Sequence, residues 1–404
     1  MLIVKKFGGS SVADKERIFN VARRCVEDYQ EGHDVIVVLS AMGKTTDGLI
    51  AKAKEINPRA SKREMDMLLS TGEQVSVALM AMAMGAMGVP AVSLNAFQVA
   101  MHTNRQYSNA RLKWIDSERI RMELENRRIV IVTGFQGVNR NDDITTLGRG
   151  GSDTTAVALA AALHADKCEI FTDVDGVYTA DPRVVPNARK MTEITYDEML
   201  EMASLGAKVL HNRSVELAKK YGVQLVVRSS LNREEGTIVK EDAKMEKMLV
   251  SGVAADKNTA RISLIGLSDK PGVAFLIFDA LAKKGINVDM ILQSIGRDGT
   301  KDISFTVPGT EAALARETLE SNLEMFTAQK IDCEENVAKV SVVGAGMATN
   351  PGVAAKMFEA LYNANINIRM ISTSEIRITV LIDENETDRA VQVVHEIFEL
   401  ASGK

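Results

Sequence analysis

Short apolar runs and longer amphipathic runs alternate along the first half of the chain. Asp34–Leu39, Ile129–Thr133 and Lys167–Thr172 are nearly continuous apolar runs, and Leu2–Val4 is a shorter one. Continuous runs of this kind are typical of parallel strands that are covered on both faces. Between them, Asp14–Gln30 spaces its apolar residues as an amphipathic helix does. The pattern predicts an α/β fold, a mostly parallel sheet sandwiched by helices, with ligands at the carboxyl ends of the strands.

The last third of the chain contains an internal repeat. Residues 271–291 match residues 351–371 without a gap, at an offset of 80 positions, beginning with Pro-Gly-Val-Ala in both copies. Strand-like runs flank each copy: Arg261–Ile265 and Ile303–Val307 for the first, Lys339–Val343 and Ile376–Ile382 for the second. Each copy therefore predicts a βαββαβ unit, the ferredoxin-like pattern. Two copies favour a paired module over a solenoid.

Composition narrows the class of protein. The chain has 404 residues, 46% hydrophobic and 25% charged, as in globular proteins, and its net charge of −5 gives no basic face for nucleic acid. Its start lacks the apolar core of a secretory signal, and Val75–Val92 is short and rich in Ala, Met and Gly, which predicts a buried helix, not a membrane span. Cys25, Cys168 and Cys333 are widely spaced, so we expect reduced thiols, no metal site and a cytoplasmic location.

A glycine-rich turn within residues 146–156 is the strongest candidate binding element. Glycines let a ligand approach the main chain closely, and here they are Gly148, Gly150 and Gly151. Ser152 and Asp153 occupy the positions of helix N-caps, since Thr154–Ala165 consists of helix formers. A helix that starts at such a turn presents free N–H groups and a positive dipole end.

The charges of this turn suit an amino acid. Arg149 offers a forked cation for a carboxylate or phosphate, and Asp153 offers an anion for an ammonium group. The alternative is a plain tight turn with a capped helix. The neighbouring motifs favour a binding site over that alternative.

Lys6-Phe-Gly-Gly-Ser-Ser, at the end of the first strand, provides backbone donors and a cation. A phosphoryl group in transfer needs both, and Lys6, Gly8, Gly9 and Ser10 can supply them. The alternative is a turn with an incidental surface lysine.

Two further loops carry polar residues that can join such a site. Ser40 and Thr46 lie at a strand-to-helix turn, where capping is the alternative role. Glu73 lies near the start of the Met- and Ala-rich helix, where it either complements the helix dipole or binds a substrate ammonium.

The loop at residues 172–183 combines acidic, aromatic and basic side chains. Thr172 and Asp173 follow a predicted strand, Tyr178 can flank a purine, and Arg183 follows a proline turn. Lys208 is a further candidate cation for phosphate. Together with the glycine-rich loops, these residues indicate a nucleotide bound beside a small zwitterion.

These motifs resemble those of the aspartate kinase family. They are Lys-Phe-Gly-Gly-Ser-Ser, Ser-Ala-Met-Gly-Lys-Thr-Thr-Asp, Thr-Gly-Glu, Thr-Thr-Leu-Gly-Arg-Gly-Gly-Ser-Asp-Thr-Thr-Ala and Thr-Asp-Val-Asp-Gly-Val-Tyr-Thr-Ala-Asp-Pro-Arg. The two C-terminal repeats look like the paired ACT domains of that family, so the resemblance runs the full length. It implies an amino-acid-kinase catalytic domain at 1–240, a linker and first regulatory strand at 241–260, and ACT domains at 261–330 and 331–404. Nine of the seventeen residues in 232–248 are charged, which is consistent with a boundary there.

The resemblance implies ATP-dependent phosphorylation of the L-aspartate side chain, with Mg²⁺ on the ATP, as the first step towards lysine, threonine, methionine and diaminopimelate. The implied catalytic residues are Lys6, Gly8, Gly9, Ser10 and Asp153. The implied aspartate-binding residues are Ser40, Thr46, Glu73, Arg149, Gly151, Ser152 and Asp153. The implied nucleotide-binding residues are Lys6, Gly8, Gly9, Thr172, Asp173, Tyr178, Arg183 and Lys208. One departure is Asn212, where many members have proline, which weakens the placement of Lys208.

In that family the ACT domains pair and bind end-product amino acids, so lysine and/or threonine are the expected effectors. The candidate effector residues are Asp269, Gly272, Asn287, Gln293, Asn350, Asn367, Ser374 and Glu375. A purely structural role in dimerisation is the alternative. We expect a homo-oligomer or an α2β2 assembly with a separately translated regulatory subunit, for which Met245 and Met248 fall at the right boundary.

Two other functions stay open on the sequence alone. One is a related kinase that acts on another carboxylate, such as that of an acylated glutamate. The other is an amino-acid sensor with an inactive kinase half, against which the intact lysine and arginine residues of the loops argue.

Overall fold

The computed structural model describes residues 1–205, 209–241, 249–294, 299–347 and 350–401. The chain forms two compact units. The first unit comprises Met1–Val177, Lys190–Ala203 and Lys208–Lys244, and the second comprises Tyr178–Arg189, Ser204–Ala207 and Met245–Lys404. The finer division at residues 240, 260 and 330 stays a prediction.

The first unit contains twelve strands in its described part. They are β1 (Leu2–Phe7), β2 (Asp34–Leu39), β3 (Ala91–Leu94), β4 (Met101–Thr103), β5 (Leu112–Ile115), β6 (Ile129–Thr133), β7 (Gln136–Val138), β8 (Ile144–Thr146), β9 (Lys167–Thr172), β10 (Glu193–Thr195), β11 (Leu225–Ser229) and β12 (Thr237–Lys240). Eight form the main sheet, in the order β10-β12-β11-β9-β1-β2-β6-β3, and the other four form the order β5-β4-β7-β8. In the main sheet only the β11–β12 pairing is antiparallel, which confirms the predicted mostly parallel sheet.

Helices cover both faces of this sheet, as the sequence pattern predicts. They are α1 (Lys15–Gln30), α2 (Thr45–Ile56), α3 (Lys62–Leu69), α4 (Thr71–Ala86), α5 (Glu118–Glu125), α6 (Gly151–Leu163), α7 (Tyr196–Ser204) and α8 (Asn212–Tyr221). All five residues of β6 and five of the six residues of β2 are buried. Helix α1 begins where predicted, with the Asp14 side chain accepting a hydrogen bond from the Arg17 N–H.

Two elements differ from the sequence prediction. Strand β1 continues to Phe7 and is not limited to residues 2–4, because Lys5 is buried in ion pairs with Asp28 and Glu169 and so does not interrupt the sheet. The predicted helix at 75–92 is α4, which ends at Ala86 and gives way to β3.

The stretch Lys62–Ala86 passes a length and composition test for a membrane span, with 44% of its apolar window buried. That is weak support for a span, because the core helix of a soluble protein passes the same test. Here Met80 and Met84 of α4 pack in the main core with Val21 and Phe7. The expected cytoplasmic location stays a prediction.

The second unit is built on one antiparallel six-stranded sheet in the order β14-β15-β13-β16-β18-β17. Its strands are β13 (Gly252–Ser268), β14 (Ile291–Gln293), β15 (Thr300–Pro308), β16 (Lys330–Val343), β17 (Met370–Thr373) and β18 (Arg377–Asp383). Its helices are α9 (Val273–Lys283), α10 (Ala312–Glu320), α11 (Leu323–Phe326), α12 (Val353–Asn363) and α13 (Thr387–Ile397).

The two predicted repeats share the long central strands. The first repeat uses the later part of β13 with β14, β15 and the start of β16, and the second uses the end of β16 with β17 and β18. The second repeat takes its fourth strand from Gly252–Asp256 at the start of β13, which pairs with residues 339–343. The expectation that 331–404 supplies its own last strand is therefore wrong, since no strand follows α13 up to residue 401.

Candidate active site

Loops that carry the candidate residues meet at one edge of the main sheet. Strands β11, β9, β1, β2 and β6 are parallel neighbours, so their carboxyl ends share this edge. In parallel sheets such an edge is where ligands bind.

Lys6 and Asp153 form the central ion pair of this edge. The Lys6 Nζ lies 2.6 Å from Asp153 Oδ1, and each side chain is only 12% exposed. The pair joins the end of β1 to the first turn of α6. At such low exposure the charges are poorly screened, so each holds the other in place.

The glycine-rich turn opens α6 earlier than predicted. The helix begins at Gly151, and its N-cap is Gly150, which has a left-handed φ of 66°. Ser152 and Asp153 therefore lie inside the first turn, and the expectation that they are N-caps is wrong. A left-handed N-cap suits glycine and releases both side chains for other partners.

Ser152 uses this freedom to contact the loop after β2. Its hydroxyl accepts a hydrogen bond from the Ser40 hydroxyl at 2.9 Å. Gly134, after β6, leaves room for Ser152, because a Cβ there would lie 2.5 Å from Ser152 Oγ. Three loops thus meet at the start of α6.

The loop after β1 interlocks with the loop after β2. The Gly43 N–H donates to the Gly9 carbonyl at 3.0 Å, and a Cβ on Gly9 would lie 2.5 Å from the Ala41 carbonyl oxygen. Gly8 lies beside the lysine cation, since a Cβ there would be 3.7 Å from Lys6 Nζ. Ser10 is exposed. The close backbone approach explains why this motif needs glycine.

Glu73 is a buried carboxylate at the same edge, 3% exposed. Its Oε1 accepts the Ala41 N–H at 3.0 Å, while its Oε2 is buried without a hydrogen-bond partner among the described residues. Burial raises the pKa of Glu73 to about 7. A cation placed at Oε2 would favour the ionised carboxylate.

Two of the candidate substrate residues are less constrained. Arg149 is exposed and forms no hydrogen bond or ion pair within the described part of the chain. Thr46 is half-buried in the first turn of α2. Both keep side-chain groups that a ligand can bind.

Some of the candidate nucleotide-binding residues belong to the first unit and others to the second. Thr172 ends β9, where its hydroxyl accepts the Val174 N–H at 3.1 Å, and Asp173 follows it on the surface. Tyr178 and Arg183 belong to the second unit, where Arg183 pairs with Asp181 at 2.6 Å. Lys208 lies outside the described residues. The nucleotide assignment of all these residues stays a prediction.

Two site-supporting residues were missed by sequence reasoning. Ser230 accepts a hydrogen bond from the Ser11 hydroxyl at 2.8 Å and donates its N–H to the Thr172 carbonyl at 2.9 Å. Arg213 donates to the Leu147 carbonyl of the glycine-rich turn. Their partners are far away in sequence, so no local pattern signals them.

Helix α8 forms although Asn212 stands where many members of the family have proline. Asn212 is the first residue of α8, a position that accepts proline but does not require it. The preceding residue, His211, packs against Gly150, where a Cβ would lie 2.2 Å from the imidazole ring. Burial lowers the pKa of His211.

The candidate effector residues lie in the second unit. Gly272 and Gly352 occupy equivalent positions before α9 and α12, with φ of 95° and 104°, so both turns need glycine. Asp269 pairs with Lys301 at 3.2 Å, and the Asn350 amide donates to the Gly346 carbonyl. The remaining candidates are exposed: Asn287, Gln293, Asn367, Ser374 and Glu375.

Metal-binding chemistry is not prominent at this edge. The described residues contain no group of three or more His, Cys, Asp or Glu side chains that could hold a metal ion. The three cysteines are free, and burial raises the pKa of Cys25 to about 12. The site instead offers cations, hydroxyls and backbone donors.

Among the described residues, the edge thus combines glycine-rich loops, the Lys6 cation and an unpaired Glu73 oxygen, a set that suits a phosphate group bound beside a charged small molecule. The model of the amino acid kinase family matches residues 1–229, and the model of the ACT domain matches residues 262–323 and 340–398.

Proteins that match this chain over nearly its whole length identify the family more closely. The chain is 52% identical over 401 residues to an aspartokinase of Geobacillus stearothermophilus, covering 99% of this chain and 98% of the relative. It is 51% identical to an aspartokinase of Helicobacter pylori, covering 99% of this chain and all of the relative. The crystal structure of E. coli aspartokinase III in complex with aspartate and ADP matches with a TM-score of 0.84 and 29% identity, over 98% of this chain and 99% of that one. The chain belongs to the aspartokinase family and is an aspartate kinase, a phosphotransferase with ACT regulatory domains.

Proposed function

We propose that this chain transfers the γ-phosphoryl group of ATP to the side-chain carboxylate of L-aspartate, forming 4-phospho-L-aspartate. The observation that carries the proposal is the Lys6–Asp153 pair at the edge where the glycine-rich loops meet. E. coli aspartokinase III, to which the chain is similar, was crystallised with aspartate and ADP.

The aspartate zwitterion fits the charges of this edge. Glu73 and Asp153 bind its ammonium, and Arg149 binds its α-carboxylate. The free Oε2 of Glu73 supports the first assignment, because a buried acceptor without a partner is costly until a donor reaches it. The remaining contacts come from Ser40, Thr46, Gly151 and Ser152.

The chemical difficulty is the meeting of two anions. The aspartate side chain is ionised at neutral pH, with an ordinary pKa of about 3.9, so it needs no general base. When the substrate ammonium approaches Asp153, Lys6 can exchange that partner for the phosphates. Lys6, with the backbone of Gly8, Gly9 and Ser10, then offsets the charge repulsion.

The nucleotide is assigned to the loops after β1 and β9. Thr172 and Asp173 bind it beside the phosphate loop, and Ser230 ties the two loops together through Ser11 and Thr172. The nucleotide roles of Tyr178, Arg183 and Lys208 rest on the family resemblance. Mg²⁺ enters with ATP, held mainly by its phosphates with few protein carboxylates.

The test is the variant Lys6→Ala in a coupled ADP-release assay. We expect kcat to fall roughly 10²-fold or more, because one preorganised charge stabiliser is lost. Lys52→Ala, an exposed lysine of α2, is the matched control and should retain activity. A near-normal kcat for Lys6→Ala would refute the proposed role of Lys6 in phosphoryl transfer.

The same assay separates the alternatives. Turnover with aspartate but not with glutamate or N-acetylglutamate supports the aspartate carboxylate as acceptor. Absent turnover with retained amino-acid binding would instead identify a sensor with an inactive kinase half.

Regulation is assigned to the ACT repeats. We infer feedback inhibition by lysine and/or threonine in a homo-oligomer or α2β2 assembly, within a cytoplasmic pathway of amino-acid biosynthesis. A related structure, E. coli aspartokinase III, was solved with lysine and aspartate, with a TM-score of 0.78 and 29% identity. Titration of activity with lysine, threonine and both together tests this, and unchanged activity in all three would refute feedback by these amino acids.

A further inference from the structure

We propose that Asp66 is a positioning residue for aspartate binding, because it fixes the turn that carries Arg149. The proposal rests on the assignment of Arg149 to the substrate α-carboxylate.

Asp66 is a fully buried carboxylate on α3 with 0% exposure. Its Oδ2 accepts the N–H groups of Ser108 at 2.8 Å and Thr146 at 2.9 Å. Its Oδ1 accepts the hydroxyls of the same two residues, Thr146 at 2.8 Å and Ser108 at 3.3 Å. Four donors converge on one carboxylate, and only a carboxylate side chain offers acceptors on both branches.

Both partners of Asp66 border the glycine-rich turn. Thr146 is the last residue of β8, three positions before Arg149. Ser108 has a left-handed φ of 64°, a conformation that is unfavourable for a non-glycine residue and persists only where its surroundings impose it. The hydrogen bonds from Ser108 to Asp66 supply that restraint.

Ser108 in turn packs against the turn itself. Its carbonyl oxygen lies 3.0 Å from where a Cβ on Gly148 would be, and Gly148 has a φ of 78°. Gly148 directly precedes Arg149. The restrained backbone of Ser108 therefore limits the paths that the turn can take, and with them the direction of the Arg149 side chain.

Asp66 also lies one helix turn from the other end of the substrate site. The Ser70 N–H donates to the Asp66 carbonyl at 3.1 Å, and Glu73 follows in the first turn of α4. The Gln136 amide holds the Ser70 carbonyl. The stretch from α3 to the first turn of α4 thus holds both Asp66 and Glu73. Glu73 is assigned to the substrate ammonium, and Asp66 fixes the turn whose Arg149 is assigned to the substrate α-carboxylate. The stretch therefore sets the distance between these two charge contacts.

The experiment is steady-state kinetics of full-length Asp66→Asn. Asparagine keeps the shape but replaces one acceptor with a donor that faces two N–H or hydroxyl donors. We expect KM for aspartate to rise roughly tenfold to hundredfold, with little change in KM for ATP, because a small misplacement of a positioning group is costly. Equal damage to both KM values and kcat would show a merely structural role and overturn the proposal.

Two further variants keep the test decisive. Thr146→Val removes only one hydroxyl donor and should raise KM for aspartate by a smaller factor, even if Asp66→Asn fails to fold. Asp143→Asn alters a different carboxylate, directly before β8, which accepts hydrogen bonds from Tyr107 and Arg63 and none from the glycine-rich turn, and it should leave KM for aspartate unchanged.

A double-mutant cycle with Arg149→Ala separates this proposal from the one on which it rests. If Asp66 acts through Arg149, the two losses are clearly non-additive, and additive losses would overturn the inference. An unchanged KM for aspartate in Arg149→Ala alone would refute the role of Arg149. A raised KM in Arg149→Ala with unchanged KM in both Asp66→Asn and Thr146→Val would refute the role of Asp66 only.

Discussion

The two ACT repeats share a sequence pattern but differ in how their cores are built. The core of the first repeat, around α9 and α10, consists of residues from 260 to 333. The core of the second repeat, around α12 and α13, also contains Ala180 and Val185, which come from the middle of the kinase sequence. The partly buried Val184 and Ala188 pack against the same core.

The segment Tyr178–Arg189 is therefore a structural part of the second repeat. The Thr179 carbonyl accepts the Val253 N–H at 2.7 Å, and its hydroxyl bonds His395 Nε2 at 2.9 Å. The Gln392 amide donates to the Val184 carbonyl at 2.9 Å. Only one of two similar modules incorporates a stretch of the catalytic sequence.

This asymmetry suggests unequal roles in control. Val177, whose N–H donates to Thr237 at 2.8 Å, belongs to the first unit, and Thr179, two positions later, belongs to the second. The loop at 172–183 that is predicted to bind the nucleotide is thus divided: residues 172–177 belong to the first unit and residues 178–183 to the second. A perturbation of the second repeat should reach this loop more readily than one of the first repeat.

The largest effect should come from a matched pair of core truncations, Leu281→Ala and Leu361→Ala. The two leucines are repeat equivalents, 80 positions apart, and both are 0% exposed. Each variant should lose about 2–5 kcal/mol of unfolding free energy, from lost burial and the cavity left behind. Only Leu361→Ala should also speed amide hydrogen exchange at Thr179 and Arg189. Equal exchange rates at those amides in both variants would refute the proposed difference between the two repeats.

Local signals in the sequence account for most of the fold. Strands β2, β6 and β9 have the predicted bounds because their apolar runs are continuous and end at polar or glycine residues. The repeat is visible as a gapless match. A regulatory strand within 241–260 is predicted, but its place in the second repeat could not be foreseen, because it depends on pairing between residues 252–256 and 339–343, almost ninety positions apart.

The site was predictable as a set of residues but not as a set of contacts. The rule that ligands bind at strand carboxyl ends groups Lys6, Ser40 and Thr172 before any coordinates are known. It does not pair Lys6 with Asp153, nor reveal Asp66, whose partners Ser108 and Thr146 are 42 and 80 positions away. The segment at 178–189 has the turn residues of a loop, and its core partners lie about two hundred positions further on.

A smaller effect should follow from removing one buried hydroxyl in each repeat. Thr179→Val deprives His395 and the Arg189 N–H of a partner, and Thr306→Val deprives the Met290 N–H, bonded at 3.1 Å. Each should cost about 1–3 kcal/mol, the penalty for an unsatisfied buried group. Urea denaturation measures the loss, and hydrogen exchange locates it. We expect faster exchange at Arg189 in Thr179→Val only, and the same acceleration in Thr306→Val would contradict the separation of the two cores.

The smallest effect should be a pH dependence confined to the second repeat, since the first has no histidine between residues 260 and 333. Burial lowers the pKa of His395, because the imidazolium would lose its hydration. The stabilising contribution of neutral His395 is therefore complete above its ordinary pKa of about 6.5 and is lost as pH falls through that value towards the lowered one. Hydrogen exchange at Thr179 and Arg189 should show more frequent opening at about pH 5.5 than at about pH 7.5, after correction for the intrinsic exchange rate. His395→Gln should abolish this difference while leaving the contribution of His211 in the first unit. A difference that persists in His395→Gln would assign the titration elsewhere and leave the second repeat no more sensitive to pH than the first.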